Sequence, residues 1–565
     1  MSLRGAFALV AGSALAASAA AASLPAQLWW SDAAGVHRVE RTSAQPALVA
    51  AAPASQAAAS GQRVPLGSVW KLFAYAYLQE RGLHEPAYRC VAAKPAVDDE
   101  YCCDPGGEID RDTALARSCG PYFAPQRLRV DAADWQRFWR ARHAPAWLAT
   151  PAAFEPGTEV DVVSLLAALD DVPAPARQAA RAALLPLSLK LDAVVPALGA
   201  GPRFKTWSWT VDGERAGGAA GWLADGTPFW FGAPGTSRTA LQAHAAWLAG
   251  TLAAAGLRDV APEPAARAAE PCVAVTLFTR YPVAAVARAD GSPAQPGTIS
   301  GPHRVTFANG HVLAINASPG LELRVGPAHA LFLDGRWPLE DYVARVVDRE
   351  GDATQTEAAR ALAVAARSYV LQNGLAEDGC RRIADDSHAQ RVSPNPPSRA
   401  ARDAAAFTAG LVLEGPAVHY HSTRAGEGQM AWQAAVTAGK AGSRFEAILR
   451  EAYPQSRLAA FDAASDCAPQ PEARDWLLAA QRRWREPLRR EPGFEPLPES
   501  LQVCRLAFGT PHSDQRLLQI RVREWFTQDG RVTLVHEYLH LAFRHHPNGQ
   551  DEDFVERLAR QLVDS

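Results

Sequence analysis

Apolar and polar positions divide the chain into three stretches, each with its own mixture of strand-like and helix-like spacing. Residues 23–260 combine alternating strand patterns with alanine-rich helices, residues 272–466 begin with strands and turn helical, and residues 470–565 end in an apolar helix. Segments rich in proline and alanine, 261–271 and 467–472, separate them and are typical of linkers. The pattern predicts a multidomain protein of α/β and α+β class, and we call the three stretches the first, middle and last units.

Local periodicity places the main elements of the middle and last units. Residues 339–372 have helical spacing with a break at Gly351, which predicts two consecutive helices. Residues 517–522 have the pattern of a strand, and an apolar helix around His536 follows it in what should be a small, mostly helical unit. Strands are also predicted at 273–278, 305–307 and 331–333.

Composition limits the class of function. The 565 residues are 48% hydrophobic, which is enough for several cores, and the net charge of -3 argues against a protein that coats nucleic acid. Beyond the N-terminus no uncharged apolar run of about 20 residues occurs, so the mature chain is not expected to span a membrane.

The N-terminus has the three parts of a secretory signal peptide. Arg4 provides a basic start, residues 6–17 an apolar stretch, and residues 20–22 a small-residue cleavage site. We therefore predict a signal peptide over residues 1–22 and export to the periplasm. Because that compartment is oxidising, the cysteines are candidates for disulfides. One cluster predicts two bridges of open connectivity: Cys90, Cys102, Cys103 and Cys119.

A serine and a lysine one helical turn apart mark the first unit. Only five of the 57 basic residues are lysines, so a retained lysine suggests a role that arginine, which stays protonated, cannot fill. Ser68 and Lys71 lie three residues apart at the start of an apolar helix, on one face. A buried lysine can deprotonate a serine hydroxyl and make it a nucleophile. The alternative is a capping serine beside a solvated lysine.

The motifs that follow resemble those of the penicillin-binding proteins and serine β-lactamases. In order they are Ser68-x-x-Lys71, Ser118-Cys-Gly and Lys205-Thr206-Trp. The resemblance implies a β-lactamase-like α/β sandwich in which Ser68 is the acylated nucleophile and Lys71 its base. It also implies that Ser118 relays protons and that Lys205 and Thr206 bind a substrate carboxylate.

Two positions depart from that family pattern. Gly120 replaces an asparagine, and Trp207 replaces the glycine that lets substrate approach the strand. Both departures count against catalytic activity in the first unit.

In the middle unit, Glu350 stands at the break between two helices, and three motifs follow it. They are Ala-Val-Ala-Ala-Arg-Ser-Tyr369, Asp386-Ser-His-Ala-Gln390 and His421-Ser-x-x-x-Gly. Over roughly residues 330–435 this order resembles the lytic transglycosylase family of stage II sporulation protein D. The resemblance implies cleavage of a muramyl glycosidic bond, with Glu350 as acid and then base, a role that burial supports by raising a carboxyl pKa. The alternative is an exposed helix-end carboxylate.

The last unit contains His536-Glu537-x-x-His540 on the apolar helix. Histidines four residues apart face one way and can provide two nitrogen ligands for Zn²⁺, with Glu537 placed to deprotonate a bound water. The pattern indicates a zinc metallopeptidase, and the strand at 517–522 would supply the edge along which a peptide docks. The alternative is two core histidines beside a surface glutamate.

Such a site needs a third protein ligand, which gluzincin-type peptidases take from a glutamate on a following helix. That resemblance makes Glu552 the ligand and Glu556 the partner that hydrogen-bonds a histidine. The sporulation-family resemblance adds Cys380 and His388 as candidates for a second zinc, because relatives can carry a metal there; packing or a disulfide is the alternative. The other candidates for the third ligand are Asp551, Glu556, His545 and His546.

The full arrangement resembles a proteobacterial family of unassigned function, often encoded beside bacterial α2-macroglobulin-like proteins. The leading hypothesis is a periplasmic peptidoglycan-remodelling hydrolase that acts on glycan strands and peptides, with such a macroglobulin as a candidate partner. The competing hypothesis is a non-catalytic envelope scaffold. Gly120 and Trp207 favour the scaffold for the first unit, whereas the intact zinc motif favours an enzyme for the last.

Overall fold

The protein has a mixed α/β architecture in its computed structural model. The predicted signal peptide, residues 261–270 and three clustered cysteines (Cys90, Cys102 and Cys103) lie outside the described ranges. Within those ranges no helix is long and apolar enough to cross a membrane. The described residues are 25–41, 61–82, 85, 88–89, 108–150, 158–211, 214–257, 271–377, 380–386, 389–426, 428–461, 468–499, 501–506, 511–515, 518–523 and 525–564.

The first unit contains one larger antiparallel sheet with helices packed on both of its faces. Its elements are β1 (Ala26–Asp32), β2 (Gly35–Arg41), β3 (Arg63–Pro65), α1 (Trp70–Arg81), β4 (Tyr88–Arg89), β5 (Glu108–Ile109), α2 (Arg111–Ala116), α3 (Gly120–Phe123), α4 (Pro125–Leu128), α5 (Ala132–Arg140), β6 (Glu159–Asp161), α6 (Val162–Asp170), α7 (Ala174–Leu189), α8 (Val194–Leu198), β7 (Arg203–Val211), β8 (Glu214–Trp222), β9 (Pro228–Pro234) and α9 (Ser237–Ala254). The sheet order is β2-β1-β9-β8-β7, and the short strands pair as β3–β6 and β4–β5.

Strand alternation builds two separate cores around this sheet. Trp29 packs with α1, α6 and α7, whereas the next residue, Trp30, packs with α8 and α9 on the opposite face. On β7, Trp207 belongs to the first core and Phe204 to the second. The position of Ser68 follows from this packing, because a 3-10 turn, Gly67–Val69, leads directly into the buried helix α1.

The middle unit combines a mixed sheet with a helical layer. Its elements are β10 (Cys272–Leu277), β11 (Val283–Arg288), β12 (Gly297–Thr298), β13 (Gly301–Phe307), β14 (Val312–Ala317), β15 (Leu321–Val325), β16 (Leu331–Pro338), α10 (Leu339–Glu350), α11 (Thr356–Asn373), β17 (Leu375–Glu377), β18 (Cys380–Ala384), α12 (Arg399–Phe407), β19 (Leu411–Glu414), β20 (His419–His421), β21 (Gln429–Ala431), α13 (Trp432–Lys440), α14 (Phe445–Ala452) and β22 (Arg457–Ala460). The main path is β14-β13-β11-β16-β10-β18-β17, with β15 on β16 and β12 on β15.

The predicted strands at 273–278, 305–307 and 331–333 lie in β10, β13 and β16, and the predicted helix break is confirmed, because α10 ends at Glu350 and Gly351 follows it. Helix α11 is the centre of this unit. Every residue from 358 to 372 is buried, because sheet, loops and other helices enclose it on all sides.

The core of the middle unit also includes residues of the first unit. Leu185, Val195 and Ala200 belong to it, and the Ala200 amide donates to the carbonyl of Phe407 at 2.7 Å. The contact is close, since a Cβ on Gly199 would lie 2.8 Å from the Phe407 carbonyl oxygen. The two units therefore share one apolar interior.

The last unit packs three longer helices against a small sheet. Its elements are β23 (Ala468–Pro469), α15 (Pro471–Leu488), β24 (Gln502–Arg505), β25 (His512–Asp514), β26 (Gln519–Val522), α16 (Gln528–Ala542) and α17 (Glu552–Asp564). The sheet order is β23-β24-β26-β25. The strand predicted at 517–522 corresponds to β26, but its predicted role as the free edge is wrong. β26 pairs with β24 on one side and β25 on the other, so among the described strands the two edges of this sheet are β23 and β25.

Candidate functional sites

Lys71 connects the two serines of the first candidate site. Its Nζ donates to Ser68 Oγ at 3.0 Å, to the Ser118 carbonyl oxygen at 2.8 Å and to Ser118 Oγ at 3.3 Å. Lys71 is 4% exposed, whereas both serines are only partly buried. Ser118 has a left-handed backbone, with φ of 61°, which is uncommon outside glycine. The structure thus places a serine hydroxyl, an amine and a second hydroxyl in contact.

Lys205 lies on β7 near the same amine. It is fully buried, and its Nζ donates to the Thr206 carbonyl at 3.4 Å. Burial and the neighbouring Lys71 charge hold the pKa of Lys205 well below its ordinary value. Adjacent strand residues point to opposite faces, so the Thr206 side chain lies on the other face of the sheet from Lys205.

The two departures from the family pattern have different structural consequences. A Cβ on Gly120 would lie 3.9 Å from Lys71 Nζ, so this position faces the site, but glycine lacks the side-chain amide that asparagine would provide. Trp207 is buried, stacks on Trp230 with ring centroids 5.4 Å apart, and its indole donates to the Phe231 carbonyl at 3.2 Å. Trp207 therefore acts as a core residue where the family pattern has glycine.

Glu350 occupies the end of α10 and forms the second candidate site. Its Oε1 accepts the Arg391 backbone N–H at 2.7 Å. Burial raises the pKa of Glu350, while the Arg391 hydrogen bond and the charges of Arg391 and Arg349 act in the opposite direction. Glu350 is half-buried, so it differs from a fully exposed helix-end carboxylate.

Asp385 is a residue of this site that sequence reasoning missed. Its Oδ2 accepts the Phe278 N–H and its Oδ1 the Val392 N–H, each at 2.9 Å. Burial raises the pKa of Asp385, and the Asp385 charge in turn contributes to the raised pKa of Glu350. Its position directly before the Asp386 motif, at the end of a buried strand, was the only available signal.

A buried network beside Glu350 contains Gln390 of the second motif. Tyr342 donates to Gln390 Oε1 at 2.5 Å, and Gln390 Nε2 donates to Tyr420 Oη at 2.9 Å and to the Ala366 carbonyl at 3.1 Å. Burial raises the pKa of both tyrosines, and the negative charge of Glu350 contributes in each case. The motif residue Gln390 therefore orders the floor of the site and does not contact solvent.

The Arg367-Ser368 pair of the first motif has a structural role. Arg367 is fully buried and donates to both carboxylate oxygens of Glu340, at 2.9 and 2.5 Å, and to the Leu411 carbonyl at 2.9 Å. Ser368 donates to the Val364 carbonyl at 2.7 Å and accepts the Leu413 N–H at 2.8 Å. The two side chains fix α11 against β19.

The structure contradicts the prediction of zinc binding by Cys380. Cys380 forms a disulfide with Cys272, its direct partner in the parallel pair β10–β18. A disulfide sulfur is not a thiolate and cannot serve as the predicted ligand. His388 lies outside the described residues. Cys119 and Cys504 are also disulfide-bonded.

The third candidate site brings His536, His540 and Glu552 together. The two Nε2 atoms are 3.0 Å apart, and the carboxylate oxygens of Glu552 lie 3.2 Å from His536 Nε2 and 3.6 Å from His540 Nε2. In a tetrahedral zinc site with bonds of about 2.1 Å, ligand atoms are roughly 3.4 Å apart. The ligand atoms of these three residues lie within 4.8 Å of one another, so the donor set fits a zinc ion.

Hydrogen bonds to the other ring nitrogens strengthen that fit. His536 Nδ1 lies 3.1 Å from Glu556 Oε2, and His540 Nδ1 lies 2.7 Å from the Gly549 carbonyl oxygen. Because both partners can only accept, both Nδ1 atoms carry the proton in neutral rings, and both Nε2 atoms present lone pairs to the same point. Two facing lone pairs repel each other unless a cation lies between them.

Glu537 lies beside this donor set and is buried, at 7% exposure. Burial raises the pKa of Glu537 to about 7, while His540 and a hydrogen bond from the Ser513 side chain act in the opposite direction. Ser513 belongs to the strand β25, so Glu537 interacts with His540 on its own helix and with an outer strand of the small sheet. The other candidates, Asp551, His545 and His546, are not in the three-residue group.

Comparison with known proteins identifies two kinds of module. The family described as "Predicted secreted protein (DUF2300)" matches residues 96–216 and 428–548, and the family "Stage II sporulation protein" matches residues 334–414. Similar solved structures include the class D β-lactamase from Sebaldella termitidis, 9% identical with a TM-score of 0.28, covering 42% of this chain and 92% of that chain. Another is the C-terminal domain of the Bacillus licheniformis BlaR penicillin-receptor, 17% identical with a TM-score of 0.25, covering 35% of this chain and 82% of that chain.

The chain is thus a secreted protein with a stage II sporulation protein module, in agreement with the predicted export. It is 41% identical over 507 residues to the uncharacterized protein YfaQ of Escherichia coli K12, across 88% of this chain and 89% of that protein. The chain belongs to the same family as YfaQ.

Proposed function

We propose that the protein remodels peptidoglycan in the cell envelope and that its middle unit cleaves glycan strands at Glu350. One observation carries the proposal: a half-buried carboxyl with a raised pKa stands at the end of α10, inside the segment that matches the stage II sporulation family. A carboxyl whose pKa is raised by burial holds its proton to a higher pH than an exposed glutamate does, which suits a general acid.

In this proposal the Glu350 carboxyl donates its proton to the leaving glycosidic oxygen. The resulting carboxylate then accepts the proton of the sugar's own hydroxyl as the anhydro ring closes, so one residue serves as acid and base. The Arg391 N–H orients the carboxyl through Oε1, which leaves Oε2 for the proton transfer.

The test is release of anhydromuramyl ends from purified glycan strands, measured by mass spectrometry with the full-length protein. Glu350→Gln should abolish release, because the amide cannot donate and recover a proton. Glu322→Gln, which alters an exposed carboxylate on β15, should leave release unchanged. If the wild-type protein binds glycan and releases no anhydro ends, the scaffold hypothesis holds for this unit.

A second proposed activity is peptide hydrolysis in the last unit, supported by the convergence of His536, His540 and Glu552. These three residues would hold Zn²⁺, which when bound supplies Lewis-acid activation of a water. Glu537 would accept the proton of the attacking water and return it to the leaving amine. An extended peptide would add by strand pairing to the outer side of β25, the last strand of this sheet among those described.

Two variants separate metal binding from catalysis in that unit. His536→Ala should lower both zinc content and the unfolding midpoint, because metal binding is coupled to folding. Glu537→Gln should keep the zinc and lose peptide hydrolysis. Zinc content equal to wild type in His536→Ala would exclude the proposed ligand set.

For the first unit we propose binding without efficient turnover. The Ser68–Lys71–Ser118 contacts support recognition of an acyl substrate, whereas Gly120 lacks the amide of the family pattern. The first unit would then position the wall peptide for the other two, and an α2-macroglobulin-like partner stays a prediction from the family resemblance.

A further inference from the structure

A cavity of about 590 Å³, a volume typical of small-molecule sites, is lined by Arg349 and by Arg391, whose backbone N–H donates to Glu350. One wall is aromatic and comes from Phe278, Tyr281 and Phe307; the other comes from Arg349 and residues 391–395. The aromatic wall precedes the segment 334–414 that matches the sporulation family, so the family comparison assigns it no role.

The aromatic wall exposes a ring to the cavity. Phe278 and Tyr281 both pack on Phe307, with ring centroids 5.2 and 6.2 Å apart. Tyr281 is nevertheless 57% exposed, which makes it one of five exposed large apolar side chains in the described part of the chain. An exposed ring that packs on Phe307 offers an apolar face, which suits the C–H face of a sugar.

Arginine side chains line the cavity on both walls. Arg280, Arg349 and Arg391 line the cavity, and none forms an ion pair with a carboxylate in the described part of the chain. Two aspartates line the same cavity, but they accept hydrogen bonds from the backbone: both Asp385 oxygens accept backbone N–H groups, and Asp386 Oδ1 accepts the Ala389 N–H at 3.1 Å. The three arginines thus exceed the two aspartates by one positive charge. The cavity therefore offers guanidinium donors to an anionic ligand, and guanidinium binds carboxylate in a two-point geometry.

Asp385 holds the two walls at a fixed separation. Its side chain accepts from Phe278 in the aromatic wall and from Val392 in the other, and its carbonyl accepts the Thr279 hydroxyl at 3.1 Å. Phe278 has a φ of 59°, a left-handed conformation that is costly for a residue with a Cβ. The fold maintains this strained turn where the cavity begins, as is common in ligand sites.

We propose that this cavity is a sugar subsite, in which a ring bearing a carboxylate stacks on Tyr281 and pairs with Arg280 and Arg391. The proposal rests on the proposed function, because the sugar belongs to the glycan strand that Glu350 cleaves. The subsite (Tyr281, Arg280 and Arg391) would select acidic sugar residues beside the scissile bond, and neutral sugars would bind through stacking alone.

The experiment measures binding separately from cleavage. Full-length protein carrying Glu350→Gln is titrated by calorimetry with a tetrasaccharide of alternating N-acetylglucosamine and N-acetylmuramic acid, and with a neutral N-acetylglucosamine tetramer. We expect the acidic tetramer to bind about tenfold more tightly, since charge-assisted hydrogen bonds to two arginines discriminate the ligands. The preference should shrink in high salt.

Variants of the subsite residues separate the contribution of the arginine charges from that of stacking on Tyr281. Arg280→Gln combined with Arg391→Gln should remove the preference for the acidic tetramer. Tyr281→Ala should weaken the binding of both tetramers, whereas Tyr281→Phe should leave both affinities unchanged. Arg399→Gln, at an exposed arginine of α12, is the matched charge control. Because Tyr281 is exposed, loss of folding is not expected, and circular dichroism checks it.

The outcomes distinguish the subsite from the proposed function. Equal affinity for the acidic and neutral tetramers, or unchanged binding in Tyr281→Ala, would overturn the subsite even if wild-type protein releases anhydro ends. Selective binding that depends on these residues, in a wild-type protein that releases no anhydro ends, would support the subsite and overturn cleavage.

Discussion

Glu556 Oε2 lies 3.1 Å from His536 Nδ1, and Glu556 is on the same helix, α17, as Glu552, one turn further along. One helix therefore supplies a direct donor to the site and an orienting carboxylate behind it. Arg560 forms an ion pair with the other Glu556 oxygen at 2.6 Å, which holds the carboxylate in position.

The first prediction concerns this orienting carboxylate. Glu556→Ala should weaken zinc affinity about 10–100-fold, because His536 loses the partner that fixes its tautomer and ring orientation. The measurement is competition with a chelator of known affinity. Asp553→Ala removes an exposed acid from the same helix and should have no effect. An unchanged affinity in Glu556→Ala, with a loss in Asp551→Ala, would reassign the ligand set.

The disulfide leads to the second prediction. Cys380→Ser should lower the free energy of unfolding by about 2–5 kcal/mol, because the bond closes a long loop, and zinc content should not change. Cys272→Ser should have the same effect, and the double variant no more than either single one. A fall in zinc per chain in Cys380→Ser would restore Cys380 as a ligand.

The third prediction concerns pH. Because burial raises the folded-state pKa of Glu350, glycan cleavage should decline as pH rises through that raised value. Its ionisation also costs stability at pH values above the unfolded-state pKa, so Glu350→Gln should raise the unfolding midpoint at pH 7 and not at pH 3. Equal midpoints at pH 7 would show that the carboxyl is not desolvated. Glu322→Gln is the control for loss of a charge.

The fourth prediction tests the first unit with a fluorescent penicillin. Wild-type protein should label weakly, and Gly120→Asn should label more strongly, since a Cβ at this position meets only Lys71 atoms at 3.9 Å and an amide fits there. Gly120→Ala adds the Cβ without the amide and should give no gain. Labelling that survives Ser68→Ala would mean that Ser68 is not the acylated residue.

Features formed by residues that are close together in the chain could be predicted from the sequence. The arrangement of His536 and His540 follows from four-residue spacing on one helix, so the sequence was sufficient for the position of these two side chains. The place of Glu552 in the site could be predicted because it lies on the next helix in the chain. Helices α10 and α11 and their break at Gly351 were also local, because hydrophobic periodicity and one glycine determine them.

Features that depend on the order of strands in a sheet could not be predicted from local sequence patterns. The pairing of Cys272 with Cys380 requires β10 and β18 to be neighbours across 108 residues. The edge strand β25 is three polar residues, His-Ser-Asp, with no apolar alternation to mark it. Asp385 gains its role only when Phe278 and Val392 approach it from distant parts of the chain.

Because the first and middle units share one apolar interior, neither unit is expected to be stable without the other. Leu185, Val195 and Ala200 complete the core of the neighbouring unit, so a protein cut between residues 258 and 270 should stay one particle in solution. Deleting the first unit would expose apolar core residues of the middle unit to water. The first unit then contributes to the stability of its neighbour whatever chemistry the positions of Gly120 and Trp207 allow.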